Sequence, residues 1–208
     1  MGRTSDAKAR LIETAMELMY ARGYSAVGVQ EICAQAGVNK GSFYYFFPSK
    51  QALTLAVIET YGQRLQQTWE YAMRTEGSLL ERLQRLFEHA YEAHCILSAT
   101  NGQMYGCPIG NLALELSCQD EALRQLLRAT FINWASTIEE ALSKAIAAGE
   151  LPTHDAALTA QAIVAYFEGV LMLAKTQNDP QVVKRLAQGA AYLLDAAVRT
   201  GDAQQRHA

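Results

Sequence analysis

The chain has 208 residues, half of them apolar, with a formal net charge of −3 and only four prolines. That length and apolar share suffice for one large domain or a small domain joined to a larger one, and the acidic balance excludes a generic polycationic nucleic-acid coat. The charge is uneven, +2 over residues 1–50 and −5 over the remainder, and Ala- and Leu-rich segments without strand-forming runs predict an all-α fold of about nine helices.

A first helix is expected from about Asp6 to Arg22. Ser5 would cap it, Leu11, Ala15 and Leu18 share a face with Ile12 and Met19, and Gly23 would end it. Two short helical patterns then meet at Gly37. Val29, Ile32, Cys33 and Ala36 fall on one face of the first, and Phe43 and Phe47 on one face of the second. The outward positions of the second are Lys40, Gly41, Ser42, Tyr44 and Tyr45. A short helix with one buried side and one side of cation, hydroxyl and phenol suits the DNA major groove, so the pair reads as a helix-turn-helix.

Pro48-Ser49 breaks the chain, and Ser49 is placed to cap a long helix over about 50–74. This gives a DNA-binding head at 1–50 and a helical regulatory and dimerisation body at 51–208. Gly77-Ser78 opens the next helix, over about 79–97; residues 98–106 read as a loop. Further helices are expected over about 108–117, 121–148, 155–176 and 180–199, followed by a polar tail. The last two are rich in small and apolar residues. They fit either intramolecular core helices or the faces of a four-helix bundle shared by two chains, and a homodimer through these two helices is expected.

The four cysteines, Cys33, Cys95, Cys107 and Cys118, form neither CxxC pairs nor zinc-like spacings. No signal peptide is evident, the opening MGRTSD lacks a myristoylation signal, and no apolar run of membrane-spanning length is expected, because Gln161 and Glu168 interrupt the segment 156–174. A cytoplasmic setting with reduced thiols follows, without membrane attachment.

The stretch from Arg10 to Leu53 resembles the TetR family of bacterial transcriptional regulators. The residues that carry it are Ala15, Leu18, Gly23, Ile32, Ala36-Gly37-Val38, Lys40-Gly41, Tyr44, Phe47 and Pro48-Ser49-Lys50. The resemblance implies a homodimer that binds a palindromic operator in double-stranded DNA, usually to repress a nearby gene, and is released by a ligand in its C-terminal domain. It carries DNA contacts onto Gln30, onto Asn39, Lys40, Gly41, Ser42, Tyr44 and Tyr45, and onto Lys50. Gly41 would let backbone approach a phosphate, Ser42, Tyr44 and Lys50 would bond phosphate oxygens, and Gln30, Asn39, Lys40 and Tyr45 would reach base edges. Arg3 would serve as a minor-groove arm. Gly28 departs from the Thr or Ser that often caps the second helix, and Tyr45 from a frequent His. The competing account of Tyr44 and Tyr45 is packing between neighbouring helices.

A second constellation is YGCPIGNLALEL, residues 105–116. Pro108 suits a first helical position, which makes Cys107 the N-cap, facing unpaired N–H groups and the positive end of the helix dipole; both favour thiolate. The motif is similar to that of the TetR branch that derepresses detoxification genes on meeting electrophiles, reactive chlorine species or unsaturated acids, where this cysteine is the sensor. Lys175 would stabilise that thiolate or attack oxidised sulfur; its alternative is a snorkelling lysine at a helix C-terminus. Cys33, Cys95 and Cys118 read as packing residues. Pocket candidates are Phe87, Tyr91, Tyr105, Trp134, Tyr166 and Phe167, each with core packing as competitor. His89, His94 and Cys95 share no helical face well, so neither metal nor cofactor is expected.

The reading is a TetR-type repressor, not an enzyme, released by a small ligand or by electrophile or oxidant modification of Cys107. Its competitors are a small helical thiol enzyme using Cys107 as nucleophile, a regulator with a purely non-covalent inducer, and a helical adaptor that does not touch DNA.

Overall fold

The computed structural model describes residues 2–205, with side chains from Asp6 to Ala197. Arg3, the expected minor-groove arm, lies outside the described side chains. Every regular element among the described residues is a helix: α1 (Gly2–Arg22), α2 (Val29–Ala36), α3 (Lys40–Phe46), α4 (Lys50–Arg74), α5 (Leu79–Asn101), α6 (Pro108–Leu116), α7 (Glu121–Ala147), α8 (Ala156–Gln177), α9 (Gln181–Leu186) and α10 (Gly189–Gln205). Since α1 already runs at Gly2, Ser5 sits within the helix and is not its N-cap.

The chain divides into two compact units. The first comprises the chain up to Arg64 together with Pro108–Ala129. It therefore reaches past residue 50 and takes in the start of α4, all of α6 and the start of α7. In it α1, α2 and α3 pack on one another. Leu11, Ala15 and Met19 of α1, Ile32 and Cys33 of α2, Phe43 of α3, and Leu53 and Val57 of α4 are all buried. Gly23 and Gly37 stand at φ +86° and +62°, where a side chain would be strained, and end α1 and α2. Arg10 Nε donates to Ala36 O at 3.0 Å and Arg22 pairs with Glu31 at 2.7 Å, tying α1 to both ends of α2. Glu13 accepts from the Tyr61 hydroxyl and from Arg64, joining α1 to α4. The Arg64 bond holds the Glu13 carboxyl below its ordinary range.

The second unit comprises Leu65–Cys107 with the chain from Thr130 onward. Its centre is a chain of rings. Trp69 stacks on Trp134 at 5.3 Å, Phe167 meets Trp69 edge-on at 5.1 Å, Phe87 meets Phe167 at 5.1 Å, and Tyr166 lies 6.0 Å from Phe87. Within this unit α8 packs on α9 and α10, as does α5. Ser78 caps α5 in a reciprocal box with Glu81.

Three expectations are corrected here. Helix α5 continues to Asn101 and ends at Gly102, φ +72°, so the first part of the expected loop is helix; Ser98, Ala99 and Thr100 are tolerated in the last turn, and Ser98 O accepts the Gly102 N–H. The expected ninth helix is present in two segments. The Tyr166 hydroxyl donates to Leu186 O at 2.6 Å and takes a carbonyl the helical ladder would use, so Ala190 and Ala191 bond Ala187 O and Gln188 O instead. Gly189 fits beneath that hydroxyl, which a Cβ would overlap. Finally, α8 is long and apolar enough to cross a membrane. It is apolar on both sides: Ile163, Val164, Phe167, Val170, Leu171 and Ala174 are buried, while Leu158, Met172 and Leu173 remain exposed. A helix with two apolar faces passes a length-and-composition test for reasons unrelated to lipid.

Candidate DNA-binding face and thiol site

Helix α3 follows from its sequence locally. Asn39 is its N-cap, with extended backbone, and its side-chain oxygen accepts the Ser42 N–H at 2.8 Å. That oxygen serves the cap, a role of Asn39 that its sequence assignment to base edges did not include. A Cβ on Gly41 would come within 3.3 Å of the same oxygen. Phe43 is fully buried, whereas Tyr44 is 56% and Tyr45 77% exposed. Packing between neighbouring helices therefore does not account for the two tyrosines. Gln30, Lys40 and Gly41 are exposed and Ser42 is half-buried. Gly28 is the N-cap of α2 and supplies no side-chain cap.

Lys50 is more tightly held than its sequence position suggests. Its ammonium donates to Tyr24 O at 2.6 Å and lies 3.8 Å from the centre of the Tyr24 ring. Burial pulls its pKa down, and the Glu115 carboxylate pulls it back up. Glu115, near the end of α6, accepts the N–H groups of Tyr24 at 2.7 Å and Ser25 at 2.7 Å. Burial alone would push this carboxyl up, but the Ser25 and Tyr24 donors and Lys50 together hold it below the ordinary range. Gln51 donates to Asp120 at 2.5 Å beside it. Thus α6 grips the α1–α2 turn within one compact unit. Sequence reading missed Glu115 because its partners lie about 90 residues away; an acid inside the apolar run NLALEL was the available signal.

Cys107 is buried and immediately precedes Pro108, the first residue of α6. The segment leading to it is laid along α8. Asn178, the α8 C-cap, donates to Gly102 O at 3.4 Å and accepts the Met104 N–H at 2.7 Å. Gly106, at φ +76°, passes so close that an added Cβ would lie 3.3 Å from Lys175 Cδ and 3.4 Å from Leu171 O. One turn further back on α8, Glu168 hydrogen-bonds the Cys107 thiol. The carboxyl is a neighbour of the thiol that the helix-start argument did not include. Burial pushes the Glu168 carboxyl up to about 7, against the lowering effect of the thiol bond. Its Oε1 has no contact with solvent and no hydrogen-bond partner. Lys175 packs its stem over Gly106, on the same side of α8 as Glu168.

The remaining aromatic candidates are only partly brought together. Trp134 and Tyr166 belong to the chain of rings, and Trp134 Nε1 is buried without a hydrogen-bond partner. Tyr91 stands apart: its hydroxyl accepts from Gln181 at 2.7 Å and bonds Cys95, with the Lys184 ammonium 5.5 Å from its ring. Tyr105 is half-buried in the segment before Cys107. Cys33 is buried, as expected of a packing residue, but Cys118 is exposed.

Two family models match the chain: residues 11–57 match "Bacterial regulatory proteins, tetR family", and residues 79–190 match "Tetracyclin repressor-like, C-terminal domain". The chain is 35% identical to the transcriptional regulator AcuR of Cereibacter sphaeroides over 173 residues, 82% of this chain and 77% of that protein. It is 31% identical to the transcriptional repressor DhaR of Mycobacterium sp. strain GP1 over 188 residues, 86% of this chain and 87% of that one. The crystal structure of a regulatory protein TetR from Rhodobacter sphaeroides superposes with a TM-score of 0.79 at 30% identity, covering 90% of this chain and 98% of that one.

Proposed function

The chain belongs to the TetR family of bacterial transcriptional regulators, and from that premise we propose that it represses transcription through the exposed face of α3 and leaves its operator when Cys107 is modified. TetR regulators bind operator DNA as dimers. The observation that carries the reading is the division of α3 into a buried Phe43 and an exposed row of Lys40, Gly41, Tyr44 and Tyr45. Two such faces related by a two-fold axis would read successive major grooves of a palindrome, with Gln30, Ser42 and Lys50 setting register on phosphates and bases. Residues 1–50 form the DNA-reading head in this scheme and 51–208 the regulatory body.

The homodimer would form through α8 and α10. Support comes from a seam of exposed or half-buried small and apolar residues at heptad spacing on α8, namely Leu158, Ala165 and Met172 with Ala162 and Gly169 between them, and from exposed Tyr192 on α10. As the trigger we assign Cys107, joined by one peptide bond to α6, whose Glu115 holds the α1–α2 turn. Displacement of α6 by an adduct would then reach the head through that grip, biasing two states of unequal DNA affinity. A non-covalent inducer is the second reading, favoured by the unpartnered Trp134 Nε1 among the rings of the second unit. Its relatives are named as regulators, and we read this chain likewise as a regulator rather than as a thiol enzyme.

The experiment is a gel-shift titration against the DNA flanking the chain's own gene, with and without an electrophile. A site-selective, strongly salt-dependent complex that dissociates after modification is expected. Cys107→Ser should keep the complex and lose the release. Absence of a selective complex at low salt overturns the repressor mechanism; release that persists in Cys107→Ser transfers the trigger to a non-covalent ligand.

A further inference from the structure

We propose that Glu168 is the proton acceptor that makes Cys107 reactive, a role that an α,β-unsaturated carbonyl compound can report as a probe electrophile. The proposal rests on the reading of Cys107 as the regulatory thiol. Its basis is an arrangement along one face of α8. Glu168, Leu171, Lys175 and Asn178 follow at helical spacing, and the segment 102–107 runs antiparallel over them: Gly102 and Met104 on Asn178, Gly106 on Lys175 and Leu171, Cys107 on Glu168. The thiol is thereby fixed against the carboxyl by several independent bonds.

A half-buried carboxyl that meets a thiol while its Oε1 is shielded from solvent without a partner is costly to keep. Packing gains nothing from it, because α8 is otherwise apolar or uncharged between Asp155 and Lys175. Chemistry gives it a use. A lone buried thiol resists ionisation, since a new charge would appear in a poorly solvated place. In the pair no new charge appears: the proton passes from sulfur to the Glu168 carboxylate, and the single negative charge moves from oxygen to sulfur. The sulfur then adds to the β-carbon of the electrophile. One S–C bond forms, the C=C π pair moves to the α-carbon, and the resulting enolate takes a proton from Glu168 or water. The sum is addition of S–H across C=C, with no oxidant and no leaving group. Lys175 is the charged group on the same face of α8, and Tyr105 is the titratable residue of the overlying segment; Gln103, Met104 and Gly106 bring no charge.

The test is the rate of adduct formation by methyl vinyl ketone on the full-length protein, resolved by residue with peptide mass spectrometry between pH 6 and 9. Exposed Cys118 serves as reference within each sample. In the parent protein the Cys107 rate should rise through neutral pH and level off. In Glu168→Gln it should fall roughly 10- to 100-fold at pH 7.5 and rise only where a free thiol ionises, with Cys118 unchanged. Glu168→Asp should recover part of the neutral-pH rate. A Glu168→Gln rate equal to or above the parent's overturns the proposal, since the carboxylate would then merely suppress the thiolate. Should Glu168→Gln fail to fold, a parent profile with no inflection near neutrality overturns it equally. Operator binding followed on the same samples separates the two readings. Adduct on Cys107 without loss of DNA overturns the trigger and leaves Glu168 its role; unchanged rates in Glu168→Gln with release intact do the reverse.

Discussion

Glu168→Gln should change how stability depends on pH, in the direction that its raised carboxyl sets. The Glu168 carboxyl titrates near 7 in the folded protein against a starting value of 4.5. Between those values the native state holds a proton that the unfolded chain has lost, so the contribution of Glu168 to stability is full below pH 4.5 and is lost as pH rises towards 7. At about 1.4 kcal/mol per pH unit the loss is about 3 kcal/mol. His94 works in the opposite direction. It is buried, its Nδ1 has no partner, and burial pushes it down from 6.5 to about 4, so its contribution is lost as pH falls through that window, again by about 3 kcal/mol. From pH 4.5 to 6.5 the two slopes nearly cancel in the parent protein. The variant removes one of them and should expose the other. Urea unfolding at one fixed protein concentration, from pH 4.5 to 8, measures this. The variant-minus-parent difference should move in the variant's favour by about 3 kcal/mol between pH 4.5 and 7.5. A difference that stays constant with pH would refute the account of a buried, proton-holding carboxyl.

Tyr45→Ala should leave stability within about 0.5 kcal/mol, as the ring is 77% exposed, yet weaken operator binding about tenfold in gel shifts. Phe43→Ala, at a fully buried ring, should instead cost about 3–5 kcal/mol in thermal unfolding. Glu115→Gln puts an amide where two backbone N–H groups converge and should cost about 1–3 kcal/mol at neutral pH. Because the native Glu115 carboxyl is held low, its contribution is present above the unfolded pKa and lost as pH falls, so melting curves from pH 3 to 7 should show the penalty shrinking in acid. Gly106→Ala, at φ +76° and against Lys175 and Leu171, should lower stability by about 1–3 kcal/mol and raise the accessibility of Cys107 to a small alkylating agent.

The parts legible in the sequence were those governed by neighbours. The split of α3 into buried and exposed sides, the Gly37 corner and the Ser49 cap, which receives the Ala52 N–H at 3.0 Å, all follow from residues within one or two turns. What escaped reading depends on distant partners. The run SATN reads as loop by composition, but Gly102 and the docking of the next segment on Asn178 carry the helix through it. The interruption before α10 is set by a hydroxyl 20 residues upstream. Glu168 was visible only as a break in an apolar run; nothing local says that Cys107 lies against it. Lys50 and Asn39 were assigned to DNA, whereas the Lys50 ammonium also donates to Tyr24 O and the Asn39 oxygen also accepts the Ser42 N–H. Residue type predicts what a group can bond and leaves open which offer it takes.

The grip of Glu115 has an evolutionary corollary. It holds the amides of positions 24 and 25, which every amino acid except proline supplies, and adds the Ser25 hydroxyl as a further bond, so most of the joint is independent of which residues stand there. Operator-reading heads can therefore diversify, or be exchanged between relatives in chimaeras, as interchangeable parts, provided the corner after α1 keeps its length. Selection on DNA sequence and selection on the signal are in this way free to proceed on separate residues.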